Sequence, residues 1–577
     1  MPNGKIIKLQ ELLAVARGDS PADLVIKNAR IINVFNGQIE DGSIAIHRNQ
    51  IVGAGEYRGV TEIDLEGCYL APGLIEGHIH IESSKMTPSR FAEVVSPRGT
   101  TTVVADPHEI ANVSGIEGIR FMIKESRYLP VDIFFMLPSC VPATSMETAG
   151  AALSAVDLKE LLAEERVIGI AELMNFPGAL FGDPDVLSKA LLATGSIPID
   201  GHAPNLSGKH LTAYVAVGPA TDHECNTLEE AKEKLRLGMR IMIREGSTAR
   251  NMDALVGLID AATERRCLFV SDDRRPGDLL HDGHIDQILR LAVSKGVDPV
   301  IAIRMVTLNT AETFGLQDRG AIRPGWKADL VAFEDLKEFH IRSVWKDGIL
   351  VADRGKPVTR KSAPIQTEIN RLRVPPLPDD SFSVRDTGEP IRVIGVIPDK
   401  ILTDHRILTL QSEGGYLQPD IARDIAKLVI VERHTGSGRT SVGFVQGVGI
   451  THGAIGSTVA HDSHNIIICG MDDKSIRTAL HWLVNTGGGQ VAVSGERVLA
   501  ELSLPIAGLM SDQPAEVIAE KEDRLIEAAR ILGSNLGDPF MALSFLALPV
   551  IPKLKLTDYG LVDVDLFKHV SLHVKAS

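Results

Sequence analysis

The chain has 577 residues, 44% hydrophobic and 23% charged, so it can bury ordinary globular cores and is neither a disordered nor a fibrous sequence. A formal net charge of −15 gives no basic footprint for nucleic acid, and no nucleic-acid partner is expected. Five scattered cysteines form no CxxC pair and no disulfide framework, which fits a reducing, cytoplasmic compartment. The start, MPNGKIIKLQELLAVARGD, lacks an apolar signal core, and the longest uncharged stretch (440–460) is broken by glycines, so no membrane partner is expected either.

In chain order, Asp23–Val34, Ser43–His47 and Gln50–Ala54 read as short strands with turns between them. From residue 73 the rhythm changes to apolar strands alternating with helical stretches. The strand candidates are Leu74–Ile81, Thr101–Ala105, Asp132–Leu137, Ile168–Leu173, Ile197–His202, Ala220–His223, Arg240–Arg244 and Cys267–Ser271. Helical patterns lie between them, among them Ile116–Ser126, Asp157–Glu165, Asp185–Thr194, Leu228–Leu237 and Asp253–Arg265, and a long one, Ile285–Phe314, follows. Repeated β–α units fit a barrel or a doubly wound sheet. Most of these strands end in a reactive side chain, and a barrel gathers strand C-termini into one ring, whereas an open sheet spreads them along a line. The fold class expected is therefore α/β: a (β/α)8 TIM-like barrel.

Beyond the barrel, Ala328–Phe333, Ile341–Lys346 and Ile349–Val351 read as strands again, predicting a small composite β-sandwich built from residues 1–72 and 316–365 around a barrel at 73–315. A Pro-rich, charged linker spans Val358–Asp380. Residues 366–577 read as an α+β C-terminal domain, with strands such as Leu428–Arg433 and Ile466–Cys469 and helices at Ser475–Asn485 and Ala515–Leu532.

The strongest chemical signal is Glu76-Gly77-His78-Ile79-His80. Residues i and i+2 of a strand share a face, so His78 and His80 can hold one metal ion together. Further ligand types end later strands: Glu172 in AELMN, His202 in DGHAP, His223 in TDHE and Asp272 in SDD. Singly, each is more often a cap or a satisfied core residue. As a set, four histidines, one bridging carboxylate and one aspartate can ligate two divalent ions and lower the pKa of a water between them. Asp272 can then serve as ligand and proton shuttle.

That order of ligands, with APGLIEGHIH before it and GAIRPGWKADLVAF after it, resembles the amidohydrolase superfamily. Within it, the segments PGLIEGHIHIESS, TTVVADPHEIANV, AELMNFPG, DGHAP, SDDRRPGDLL, GHIDQ and HDSHN are similar to the bacterial adenine deaminases. The resemblance implies hydrolysis of adenine to hypoxanthine and ammonia, with adenine and water as partners, a binuclear centre of Mn, Fe or Zn, and a homo-oligomer. One departure matters. Mononuclear deaminases of the superfamily carry a Glu just after the strand-five His, but here His202 is followed by Ala203-Pro204-Asn205. No lysine stands at the strand-four position either. Both favour a two-metal site bridged by Glu172, with Asp272 as catalytic proton carrier and Glu172 as its rival. Competing readings are another hydrolase on the same scaffold, acting on N-acyl amino sugars or cyclic amides, and a silent metal-binding scaffold.

Glu82 and Ser83, after the HxH, are candidates for reading the substrate, with a helix cap as the alternative. Asp106, His108 and Glu109 end strand two, where a substrate or supporting role competes with a plain polar loop. Asp273 is a candidate for orienting the substrate, with a cap on the segment beyond it as the alternative. Arg244, ending strand seven, reads as an ion-pair partner in the barrel mouth, with a substrate anchor as the alternative. The polar run His461-Asp462-Ser463-His464-Asn465 reads as a turn that could close the site through His461 and His464.

Overall fold

Eight short parallel strands set the architecture of the computed structural model, which describes residues 2–193, 197–358, 369, 372–398 and 400–574. They are labelled β1 (Leu74–Ile79), β2 (Thr100–Ala105), β3 (Asp132–Leu137), β4 (Val167–Leu173), β5 (Ile199–Gly201), β6 (Thr221–Asp222), β7 (Arg240–Arg244) and β8 (Cys267–Val270). Strands β1 to β5 form one parallel sheet and β6 to β8 another. Backbone hydrogen bonds join the two sheets at both seams: Ala220 N–H donates to Ile199 O at 3.0 Å, and Asp272 N–H donates to His78 O at 2.9 Å. The result is a TIM-like α/β barrel. Ile75, Val104, Met136, Ala171, Met242 and Leu268, from six strands, fill a common apolar cluster, so the ring is packed rather than open.

Several helices differ from expectation for local reasons. The pattern over 253–265 yields only Met252–Leu255 and single turns at Val256–Leu258 and Glu264–Arg266. The Asp260 carboxylate accepts the N–H groups of Ala262 (2.8 Å) and Thr263 (3.0 Å), a turn that competes with the helix. The stretch 285–314 is three helices, Ile285–Ser294, Pro299–Met305 and Leu308–Thr313. Gly296 takes φ +92° after the first, and Asp298 caps the second, just before Pro299. The helix expected from 116 instead starts at His108 and runs to Glu125 through a kink at Gly115. Pro2–Ala16 is a helix that the strand-rich reading of the N-terminal segment did not include. Thr194, most of the 358–380 linker and the 365/366 boundary lie outside the described residues.

Strands from both sides of the barrel segment join one nine-stranded sheet, in which Leu330–Phe333 pairs antiparallel with Tyr69–Pro72. Residues from 391 onward form a separate eight-stranded sheet. Helix Asp473–Asn485 covers one face of it, packing Ile476, Ala479 and Leu483 on Val429, Ile466 and Val491. On the other side, Ile467 and Ala492 of the sheet, Ile518 and Leu525 of helix Ala515–Ile531, and Ile81, Met86 and Phe91 of the barrel belong to a single apolar cluster. Ion pairs reinforce this contact: buried Lys85 with Glu522, and half-buried Arg275 with Asp538 at 3.1 Å. The C-terminal sheet therefore covers the barrel mouth. No helix among the described residues is long and apolar enough to cross a membrane.

Candidate active site

The strand ends converge as the sequence implied. The His78 and His80 rings lie 5.0 Å apart, and His223 stacks on His78 at 4.2 Å. A register irregularity between Glu76 and Ile79 bends the end of β1, but both histidines still reach the mouth. Glu172, ending β4, stands between two histidine groups. Its Oε1 is 3.3 Å from His80 Nε2, while its Oε2 is 2.7 Å from His202 Nδ1 and 3.3 Å from His223 Nε2. Asp272, after β8, also has two faces. Its Oδ1 lies 3.3 Å from His80 Nε2 and 3.7 Å from His78 Nε2, and its Oδ2 accepts from Arg244 at 2.8 Å.

Supporting residues fix the rings. The Asp200 carboxylate is 2.9 Å from His78 Nδ1, and the Asp106 carbonyl is 3.1 Å from His80 Nδ1, each leaving the other ring nitrogen facing the centre. Glu76, fully buried, accepts from the backbone N–H of His78 (2.9 Å) and of Ser271 (3.1 Å), and so ties β1 to β8 beside the closing seam. Asp272 has φ +58°, a conformation non-glycine residues rarely take, and the captured N–H groups of Ser271 and Asp272 hold it there. Arg244 pairs with both Glu224 and Asp272, as expected of an ion pair in the mouth.

Electrostatics follow from this crowding. Burial opposes ionisation of Glu172, yet His202, His223 and His80 hold its carboxyl well below the usual range. Burial likewise opposes ionisation of Asp272, and His80 and Arg244 outweigh it. For His78, burial disfavours the charged ring, but Asp200 raises it to about 9. Burial lifts Glu82 to about 7 and, with Asp272 beside it, raises Asp273.

The donor set suits divalent ions. His78, His80 and Asp272 are close enough to share one ion; His78, Glu172 and His223, or His202, His223 and Glu224, could share another. The buried ring nitrogen His78 Nε2, 3.7 Å from Asp272, has no hydrogen-bond partner, as expected of a nitrogen available to a ligand.

The remaining candidates fall into place around this centre. Asp106 Oδ2 lies 2.9 Å from His108 Nδ1, so it steadies that ring. The Glu82 carboxylate oxygen Oε1 accepts Ile110 N–H, in the first turn of helix His108–Glu125, at 3.2 Å, and its Oε2 is buried without a partner; it does not cap the first barrel helix, Pro88–Val95. Ser83 hydrogen-bonds Asp273. His461 Nδ1 lies 2.7 Å from Glu109 Oε1, and His464 contacts Glu109 Oε2; Glu109 does not end β2 but stands in the first turn of helix His108–Glu125, so the C-terminal loop is joined directly to the start of that helix. Phe545 stacks on His461 at 4.9 Å. Sequence reasoning missed Glu76, Asp200 and Glu224. Each is an acid next to, or two residues before, a strand-end histidine, and that adjacency was the available signal.

Barrel and histidine–carboxylate centre together define an amidohydrolase-type enzyme scaffold, and the amidohydrolase family matches residues 69–351. The adenine deaminase C-terminal domain matches residues 400–568. The adenine deaminase of Desulfatibacillum aliphaticivorans is 47% identical over 97% of this chain and 99% of its own. Adenine deaminase 2 of Carboxydothermus hydrogenoformans is 48% identical over 97% and 99%, and the adenine deaminase of Kosmotoga olearia 44% over 98% and 99%. The chain belongs to the adenine deaminase family.

Proposed function

We propose that this chain hydrolyses adenine to hypoxanthine and ammonia at a centre of two divalent ions, Mn, Fe or Zn, in purine salvage. Family membership supports the reaction. The observation that carries the centre is Glu172, whose two oxygens face different histidine groups. In this reading His78, His80, Glu172, His202, His223 and Asp272 would hold the ions, and Glu172, facing both histidine groups, would serve both. When bound, the ions supply Lewis acidity that brings the pKa of a ligated water toward neutrality.

The rest of the chemistry falls to the chain. In the reaction a C6–O bond forms and the C6–N6 bond breaks. One water proton ends on N1 of hypoxanthine and the other leaves with ammonia. Asp272, kept ionised by Arg244 and fixed in its backbone by the β1–β8 seam, accepts the proton of the attacking water and returns it to the departing nitrogen. Glu82, Ser83 and Asp273 lie on the loops that would contact the ring, with Asp106 and His108 supporting them from the turn and helix that follow β2. His461 and His464 close the site through Glu109. We also propose the division 1–72 and 316–365 for a composite β unit, 73–315 for the barrel and 366–577 for the covering domain, supported by the Leu330–Phe333 pairing with Tyr69–Pro72.

An ammonia-release assay over a purine and pyrimidine panel tests this, using enzyme loaded separately with iron, manganese or zinc. Adenine turnover is expected. Acetate release from N-acetyl sugars, with no purine activity under any metal, would overturn it.

A further inference from the structure

We propose that Asp462, from the covering domain, accepts the imidazole N–H of the substrate base and makes the site selective for rings that carry that proton. This rests on the adenine reading above. Asp462 is 3% exposed, and its Oδ2 is buried with no hydrogen-bond partner. Such an atom calls for an explanation, because buried polar oxygens are nearly always paired.

The loop that carries it is locked on both sides. His461 and His464 grip Glu109 of the barrel. His434 Nε2 meets the Ser463 carbonyl at 2.7 Å, Ala460 N–H donates to His464 Nδ1 at 3.1 Å, and the Asn465 amide donates to the Thr148 carbonyl at 2.8 Å. Asp462 is thus presented by a fixed frame, yet one of its oxygens is left without a donor. The charged groups that act on it are His108, Glu109, His461 and Glu172, which surround the centre and the contact with helix His108–Glu125. Glu147 also feels its charge, but Glu147 Oε1 is itself unpartnered, so no hydrogen bond joins these two oxygens.

Substrate geometry supplies the missing donor. Attack at C6 requires the C6–N1 edge of adenine to face the histidines, so the imidazole edge turns toward whatever covers the mouth. That cover is the 461–465 loop. The imidazole N–H is the one donor on that edge, and N9-substituted rings with the same amine lack it. A site built around a buried acceptor rejects an analogue without the donor much more strongly than a hydrophobic pocket rejects a change of shape.

The test compares adenine with 7-aminothiazolo[5,4-d]pyrimidine, a close isostere with sulfur in place of the N–H, in wild type, Asp462→Ala and Asp462→Asn. Metal content and thermal midpoint are measured alongside. Wild type should favour adenine by roughly 10²-fold or more in kcat/KM. Asp462→Ala should lose most of that preference, mainly through KM for adenine, with the isostere changed only a few-fold. Asp462→Asn, which keeps a carbonyl acceptor, should lose less. Equal losses on both compounds would mean a structural role and would overturn the proposal, as would a wild type that does not discriminate. Should a variant fail to fold, the wild-type ratio alone decides. Absence of adenine turnover in wild type would instead sink the deaminase reading.

Discussion

At the N-terminal ends of the barrel strands, Asp132 opens β3 among three cations: Arg319 at 2.8 Å, Lys346 at 2.9 Å and Lys327 at 3.0 Å. Lys346 also bonds Asp329 at 3.0 Å, and Arg319 donates to Thr102 of β2. Burial opposes ionisation of Asp132, but these cations hold its carboxyl far below the usual range. At the C-terminal ends, the charges are just as dense but the bonding is incomplete: His78 Nε2, His223 Nδ1, Glu82 Oε2 and Asp462 Oδ2 are buried and unpartnered. The Asp132 end joins the barrel to the nine-stranded sheet through Lys327 and Lys346, so its network stabilises. In the proposed function, the other end keeps its polar groups for ions and substrate. In a TIM-like barrel this division follows from geometry, since only the C-terminal face has loops free to vary around a ligand.

The largest effects should come from the incomplete end. Dialysis against a chelator should abolish adenine turnover, and metal analysis of active enzyme should give two ions per chain. A fully active metal-free protein would erase the distinction between the two ends. Asp272→Asn should keep the fold and its thermal midpoint but lower kcat by roughly 10³-fold, within the range of general acid–base effects. Near-normal kcat in a metal-replete variant would remove Asp272 as proton carrier.

Asp132→Asn should do the opposite, destabilising the protein by up to about 3 kcal/mol with kcat/KM for adenine unchanged, because it removes the one charge that three cations share, two of them buried. The pH dependence has a definite sign. The Asp132 pKa is depressed in the folded protein, so its stabilisation is present above the unfolded value of about 3.9 and is lost as pH falls toward the folded one. The difference in thermal midpoint between wild type and Asp132→Asn should be full near neutrality and should shrink in acid. A difference that grew on acidification would refute the ion-pair account.

Much of the C-terminal end was legible in the sequence, because strand-end ligands announce themselves by residue type. His78 and His80 are two apart in an apolar strand, and Glu172, His202, His223 and Asp272 punctuate later ones. The supporting acids were less visible. Asp200 and Glu76 act through hydrogen bonds to other strands, and no local pattern states which strand will be a neighbour. The Asp132 network was invisible for the same reason: its cations come from residues 319, 327 and 346, beyond the barrel segment. Helix lengths failed where a side chain outcompeted the backbone, as at Asp260, or where Gly296 reversed the chain. The 461–465 loop looked like a turn, and only the tertiary contact with Glu109 shows what it touches.

Joint replacement of His461 and His464 by alanine should lower kcat/KM for adenine by about 10-fold, the scale of losing a charge-assisted hydrogen bond. Glu109 would lose both of its loop partners, so the effect should not appear as loss of bound metal. Unchanged kinetics would place the loop among the merely structural elements of the covering domain.

The smallest effect tests whether ion pairs matter by location rather than by number. On helix Ala515–Ile531, Glu522 pairs with Lys85 of the barrel, and both side chains are under 8% exposed. Two residues along, Arg524 pairs with Glu520, and these side chains are 69% and 62% exposed. Water screens the second pair, and ordering two long side chains offsets most of its attraction. Arg524→Ala should therefore change stability by no more than about 0.5 kcal/mol and leave kcat/KM untouched. A larger loss would mean that the outer face of this helix is covered by something besides solvent, and the contrast between its two faces would have to be redrawn.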